Sequence, residues 1–228
     1  MSKWTVISLG GSIIVPEEID VAYLKKFREM ILSYKDRKFA IICGGGGTNR
    51  KYNLAARTLS PKCKDVDLDW VGIKSLQLNA ELVRTLFAEN AHSKVIENPR
   101  DLKTLPSKQI VVGSADEPGR SSDYDAVLWA QRLGANTIVN LSNVDRVFTA
   151  DPRKVKDAKP ISEISWKDYL KIVGTKWTPR LSTPFDPIAA QLAKKHGLTA
   201  YVMNGHKLAQ VRRVIEGDVR KAGTILHP

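Results

Sequence analysis

Cysteine is scarce: Cys43 and Cys63 are the only 2 in 228 residues, too few for a disulfide framework, which points to a reducing, cytoplasmic setting. No apolar run reaches the roughly 18–20 residues that a membrane helix needs. Residues 1–12 move straight into a strand-like run and a glycine turn, without a signal-peptide pattern. His92, His196, His206 and His227 lack ligand spacing, and neither cysteine has a base signature nearby, which speaks against a resident metal or a covalent nucleophile. The P-loop pattern GxxxxGKS/T and the dinucleotide pattern GxGxxG are both missing. So are internal repeats and low-complexity tracts.

What the chain does have is positive charge. Its 36 Lys+Arg against 24 Asp+Glu leave a formal +12. Such a balance often signals nucleic acid, but here the basic residues are scattered, with no RNA-binding aromatic signature or zinc spacing beside them. A solvated basic surface is the plainer reading, with neither nucleic acid nor membrane expected as a partner. At 43% hydrophobic and 26% charged residues, the composition is that of an ordinary globular protein able to bury a sizeable core.

Short apolar runs alternate with amphipathic ones. Strands are expected at 4–9, 39–43, 94–97, 109–113, 136–141, 199–203 and 223–226. Helices are expected from Asp20 to about 32, at 49–59, from Asp69 along an apolar stripe to Phe87, at 122–133, at 166–172, from Pro184, and at 207–215. The alternation predicts an α/β fold with a parallel, doubly wound sheet covered on both faces. Pro152, Pro160, Pro179, Pro184 and Pro187 punctuate the last third, so the single domain 1–228 reads as two lobes, about 1–140 and 141–228.

Two glycine loops follow buried strands: Gly10-Gly11-Ser12, and Gly44 to Gly47, the latter leading into a helix. Each can be a tight turn; two in one sheet favour a phosphate cradle built from backbone N–H groups. Arg50, on the first turn of the next helix, suits a bidentate phosphate contact or a plain surface position. Asp69 reads as a helix-start acid or as an acceptor for ribose hydroxyls. Loop 113–123 offers Gly119, Arg120, Ser121 and Ser122 to a second phosphate or a nucleoside, although Ser122 or Asp123 also reads as a simple cap. The polar turn 143–152 carries Phe148, which could face a purine. Thr183 to Asp186 reads as a helix start with Thr183 as N-cap, Pro184 at N1 and Asp186 at N3. Any metal would be magnesium carried in on a nucleotide.

Taken in order, LGGS at 9–12, CGGGGTNRKY at 43–52, DWVGI at 69–73, PGRSSD at 118–123, NVDRVFTADP at 143–152, FDPIAA at 185–190 and VIEGDVRKAGTILHP at 214–228 resemble the amino acid kinase family. Within it they are similar to the short archaeal type of uridylate (UMP) kinase. The resemblance implies an open αβα sandwich, with its acceptor side in the N-terminal lobe and its ATP side in the C-terminal lobe. It implies transfer of the γ-phosphoryl of MgATP to UMP in a homohexamer. By the same resemblance, Gly11, Ser12, Gly46, Arg50, Ser142, Phe148 and Asp151 would serve ATP. Gly45, Asp69, Gly119, Arg120, Ser121 and Ser122 would serve UMP, with Arg50 at its phosphate or between the two nucleotides. Asp123, Asp186 and Arg50 would organise catalysis. The chain departs from the family pattern at Ser8, where many members carry a lysine, at Arg146, a usual glycine position, and in SSD for TTD. Other readings on the same fold are a different small phosphate or carboxylate acceptor, or a non-catalytic nucleotide- or oxoanion-binding storage or regulatory protein.

Overall fold

The strand segments are apolar at nearly every position because both faces of the sheet are covered. In β1 (Trp4–Leu9), Ile7 and Leu9 enter one core layer, while Trp4 and Val6 enter the other. β2 (Lys38–Cys43) divides the same way, Phe39, Ile41 and Cys43 against Ala40 and Ile42. The structure, a computed structural model, describes residues 4–176, 183–220 and 223–228.

After β1 come α1 (Gly11–Ile14) and α2 (Val21–Leu32), the latter capped by Asp20, whose carboxylate accepts from Tyr23 N at 2.9 Å. β2 leads into α3 (Gly46–Leu59), α4 (Asp65–Phe87) and β3 (Ile110–Gly113). Then follow α5 (Ser122–Leu133), β4 (Thr137–Ser142), β5 (Val147–Phe148), β6 (Pro160–Ile161) and β7 (Glu163–Ser165). The chain finishes with α6 (Trp166–Val173), α7 (Pro187–Lys195), β8 (Thr199–Asn204), α8 (Leu208–Ile215) and β9 (Thr224–His227).

Seven strands form one sheet in the order β3-β2-β1-β4-β8-β9-β7, and β5 and β6 make a small separate antiparallel pair. From β3 through β8 the strands are parallel; β9 runs antiparallel to β8, and β7 parallel to β9. Winding proceeds outward from β1 to β3 on one side and from β4 to β8 on the other. The order therefore reverses between β1 and β4, and in an open sheet a crevice lies beyond the strand carboxyl ends at such a point. One face is covered by α2, α4 and α8, through residues such as Phe27, Phe87 and Val211. The other is covered by α5, α6 and α7, through Trp129, Trp166 and Ala189. This is the expected mainly parallel αβα sandwich.

Several boundaries differ from the sequence reading. Segment 94–97 is not a strand: it meets β3 through a single isolated bridge, Ile96 with Gly113, and Pro99 opens a short 3-10 turn just beyond. α3 begins three residues before Asn49, inside the glycine run. α4 starts at Asp65, so Asp69 sits one turn inside the helix and caps nothing; Lys64 N donates to Asp67 instead, at 3.1 Å. The N-cap of α5 is Ser121, not Ser122 or Asp123. The last-third helix starts at Pro187, with Asp186 as its cap, not at Pro184 behind Thr183. Pro179 lies outside the described residues.

Candidate active site

The two glycine loops meet at the carboxyl ends of β1 and β2. A side chain on Gly11 would come within 2.0 Å of Gly46 N, so the contact admits only glycine there, and Gly46 itself has a φ of +57°. Asn79, buried on α4, fixes the second loop by donating to the carbonyls of Gly44 at 2.8 Å and Gly45 at 3.0 Å. Among the described residues no carbonyl accepts from the N–H groups of Gly11, Ser12 or Gly46, and α3 has no side-chain cap. Unpaired donors at the starts of α1 and of the 14-residue α3, brought together where the loops meet, fit the phosphates of a nucleotide.

Beside this junction, α3, α4 and loop 114–121 enclose a cavity of about 210 Å³. Gly45, Asp69, Arg120, Ser121 and Ser122 all line it. Gly119 joins them indirectly: its N–H donates to Asp69 Oδ2 at 3.0 Å and ties the loop to α4. Partial burial raises the Asp69 carboxyl above its usual range, nearby Asp65 adds to the rise, and the Gly119 N–H opposes it. Asn49 and Asn53 share the lining and are joined by a 2.7 Å side-chain hydrogen bond. Neither stands out for binding in the sequence, yet their i,i+4 spacing on α3 puts them on one helix face.

A second polar group sits at the switch point. Asp123 Oδ1 accepts from Ser8 Oγ at 3.0 Å and Asn140 Nδ2 at 2.6 Å, and Oδ2 accepts from Asp186 N at 3.1 Å. This carboxylate links β1, β4, α5 and the start of α7. Burial first, and then the adjacent Asp186 carboxylate, raise it to about 6 against the three donors, which pull it down. Asp186 accepts from Ile188 N at 2.6 Å and Ala189 N at 2.9 Å, so its helix-capping role is real. Burial raises its carboxyl too, against the Ala189 and Ile188 N–H groups and the Ser121 hydroxyl. Asn140, which the sequence did not single out, is 3% exposed on β4 and looked like ordinary strand interior.

Other expected residues stand apart. Arg50 turns away from the cavity and donates to the Pro16 carbonyl. Ser142 closes β4 next to the first glycine loop, where Gly10 N donates to Leu141 O at 2.8 Å. Phe148 lies on β5 opposite Pro160, and Asp151 is held by Arg153 through two 3.0 Å contacts, which lower its carboxyl.

A model of the amino acid kinase family matches residues 3–204. The chain belongs to the amino acid kinase family. A uridylate kinase of Pyrococcus abyssi is 32% identical over 226 residues, which cover 98% of this chain and 99% of that protein. One from Methanospirillum hungatei is 32% identical over 225 residues, 97% of this chain and 93% of that one. The crystal structure of uridylate kinase from Archaeoglobus fulgidus aligns with a TM-score of 0.82 at 26% identity, over 99% of this chain and 100% of that one. UMP kinase from Bacillus anthracis, at 22% identity and a TM-score of 0.77, shares the fold.

This amino acid kinase has no lysine beside the Asp123–Asp186 pair on β1. Ser8, 1% exposed, fills that place and donates to Asp123. A further residue emerges only from the fold: Asp125, fully buried on α5, whose Oδ1 lies 3.1 Å from Arg120 Nε. Burial pushes its carboxyl up to about 8, against the pull of Arg120. In the sequence it reads as one more polar residue in the first turn of a helix.

Proposed function

We propose that the chain is a uridylate kinase that transfers the γ-phosphoryl of ATP to the phosphate of UMP, giving UDP and ADP. The carrying observation is the convergence of Gly45, Asp69, Arg120, Ser121 and Ser122 on one cavity beside the paired glycine loops. Full-length relatives called uridylate kinase support the same reading. In this account the N-terminal lobe, about 1–140, holds the acceptor, and the C-terminal lobe, about 141–228, holds ATP.

An oxygen of the UMP phosphate forms the new bond to the γ-phosphorus as the bond to the β,γ-bridging oxygen breaks, and that electron pair leaves with ADP. The attacking phosphate is already ionised, so no general base is needed; the chain contributes positioning and electrostatics. Asp69 accepts from the ribose of UMP, and the Ser121 and Ser122 hydroxyls and Arg120 face its phosphate end. The unpaired N–H groups of Gly11, Ser12 and Gly46 donate to the transferring phosphoryl and its neighbours. Asp123, braced by Ser8 and Asn140, fixes the geometry between the glycine loop of β1 and the start of α7. Mg2+, brought in by ATP, supplies charge neutralisation on the polyphosphate. The surplus of basic residues steers polyanionic substrates toward the crevice.

We also assign the enzyme to the cytoplasm and to a homohexamer. Tyr52, Leu59, Trp70 and Leu78 are exposed on α3 and α4, two helices packed on each other, and such apolar side chains suit a contact with a second copy. Purified protein incubated with MgATP and UMP tests the activity by formation of UDP, with CMP, AMP and small carboxylates as competing acceptors. Sedimentation of the same sample tests the hexamer.

A further inference from the structure

Among the described residues, Arg120 is the only cation lining the acceptor cavity, and three carboxylates meet on its guanidinium. Nη2 pairs with Asp116, whose other oxygen accepts from Asn98 Nδ2 at 2.8 Å. Nε lies 3.1 Å from Oδ1 of Asp125. Nη1 donates to Glu117 at 2.7 Å. The Arg120 guanidinium also rests over the Tyr124 ring, 5.4 Å from its centroid.

The three acids are held very differently. The side chain of Asp125 is 0% exposed and that of Asp116 is 22% exposed, whereas that of Glu117 is 66% exposed and borders the cavity. We propose that Asp125, with Asp116, is a positioning residue that fixes Arg120 as the clamp for the acceptor's phosphate, and that Glu117 is an internal stand-in which the phosphate displaces from Nη1. This rests on the reading of the cavity as the UMP site.

Asp125 is buried with little to compensate its charge. Oδ1 has only Arg120 Nε beside it and Oδ2 has no hydrogen-bond partner, so burying this carboxylate costs the fold more than an apolar side chain there would. The charged groups acting on it are Arg120 and Asp116 from the loop and Asp123 from its own helix; only Arg120 is of opposite sign. What the carboxylate adds is a fixed direction for the guanidinium. Held at Nε and Nη2, Arg120 can exchange its partner only at Nη1. A phosphate dianion carries more charge than one solvated carboxylate and accepts from a guanidinium more strongly.

Calorimetry of UMP binding without ATP, together with steady-state kinetics, on wild type, Asp125→Asn and Glu117→Gln at pH 9, where the Asp125 carboxyl is ionised, tests this. Asp125→Asn weakens UMP binding about tenfold and raises KM for UMP more than it lowers kcat, the worth of one charge-assisted contact. Glu117→Gln, at an exposed position that leaves folding intact, tightens UMP binding about threefold by removing the competitor and its repulsion. A melting curve accompanies each variant, and an Asp125→Asn protein that melts no earlier than wild type at pH 8 excludes misfolding as the cause. UMP affinity within twofold of wild type in Asp125→Asn, or weakened by Glu117→Gln, overturns the proposal and leaves the kinase reading standing. A wild type that neither binds UMP nor makes UDP overturns both.

Discussion

The Ser8 hydroxyl donates to Oδ1 of Asp123 at 3.0 Å, joining β1 to α5 across 115 positions of sequence. It fills the position where the family resemblance leads one to expect a lysine, so the donor to this carboxylate from β1 is neutral. Burial and the neighbouring Asp186 carboxylate raise this carboxyl to about 6, and the Ser8 hydroxyl opposes the rise.

Ser8→Ala removes one of three donors to the ionised form. The Asp123 pKa therefore rises by about one unit, from the loss of a hydrogen bond to a charged group. Rate profiles for UDP formation between pH 5 and 9 check this: the acid limb moves to higher pH in the variant. An unmoved limb separates Asp123 from the rate-determining ionisation.

Asp186 offers a way to divide capping from chemistry. Its carboxylate accepts from Ile188 N at 2.6 Å and Ala189 N at 2.9 Å, a role asparagine fills equally well. Asp186→Asn is therefore expected to keep its stability within about 0.5 kcal/mol of wild type, whereas Asp186→Ala loses about 1–2 kcal/mol. If the charge organises the reacting groups, Asp186→Asn still loses activity, by about a hundredfold. Denaturant melts and turnover on both variants read the two roles separately.

Asp125 controls a dependence of stability on pH. Burial raises its pKa from 3.8 to about 8, so on titration the unfolded chain releases this proton first. Stability from this group is therefore intact below about pH 4, falls as pH rises toward about 8, and is fully lost above that. Asp125→Asn has no such group, and its melting temperature gains on wild type across that window, by about 4 °C or more at pH 8.5. A difference that stays constant from pH 4 to 8.5 contradicts the assignment.

Asp69 joins the acceptor cavity to its loop through Gly119 N at 3.0 Å. Asp69→Asn keeps an acceptor oxygen but loses the charge, and Asp69→Ala loses both. KM for UMP is expected to rise about tenfold in the first and more in the second, with KM for ATP little changed. Equal changes in both constants would place Asp69 outside the acceptor site.

Much of this was visible in the residues. The boundaries of α5 followed from its apolar pattern, with Gly134 at φ +62° ending it, and the apolar runs of β1, β2 and β8 marked strands covered on both sides. Segment 94–97 misled because Val95 and Ile96 look like a strand, while pairing beside β3 is interrupted and Pro99 has no N–H to extend it. Glycine's poor helix propensity hid the true start of α3, which packing of Gly46 against Gly11 overrides. Thr183-Pro184 and Asp186-Pro187 are equally good cap pairs by local rule; the buried carboxylate of Asp186 decides between them only in three dimensions. Arg50 had the right position in the motif, but its reach to Pro16 depends on the chain after α1. Asp125 and Asn140 were invisible because their meaning lies in Arg120 and Asp123, partners that no local spacing identifies.

The most direct measurement is a coupled assay of the folded protein with MgATP and UMP, with nucleotide products separated and quantified. The account predicts UDP and ADP in equal amounts, with UMP preferred over other acceptors and KM for UMP raised by Asp69→Ala. A folded protein that binds ATP yet forms no UDP, or forms it with no dependence on Asp69, contradicts it.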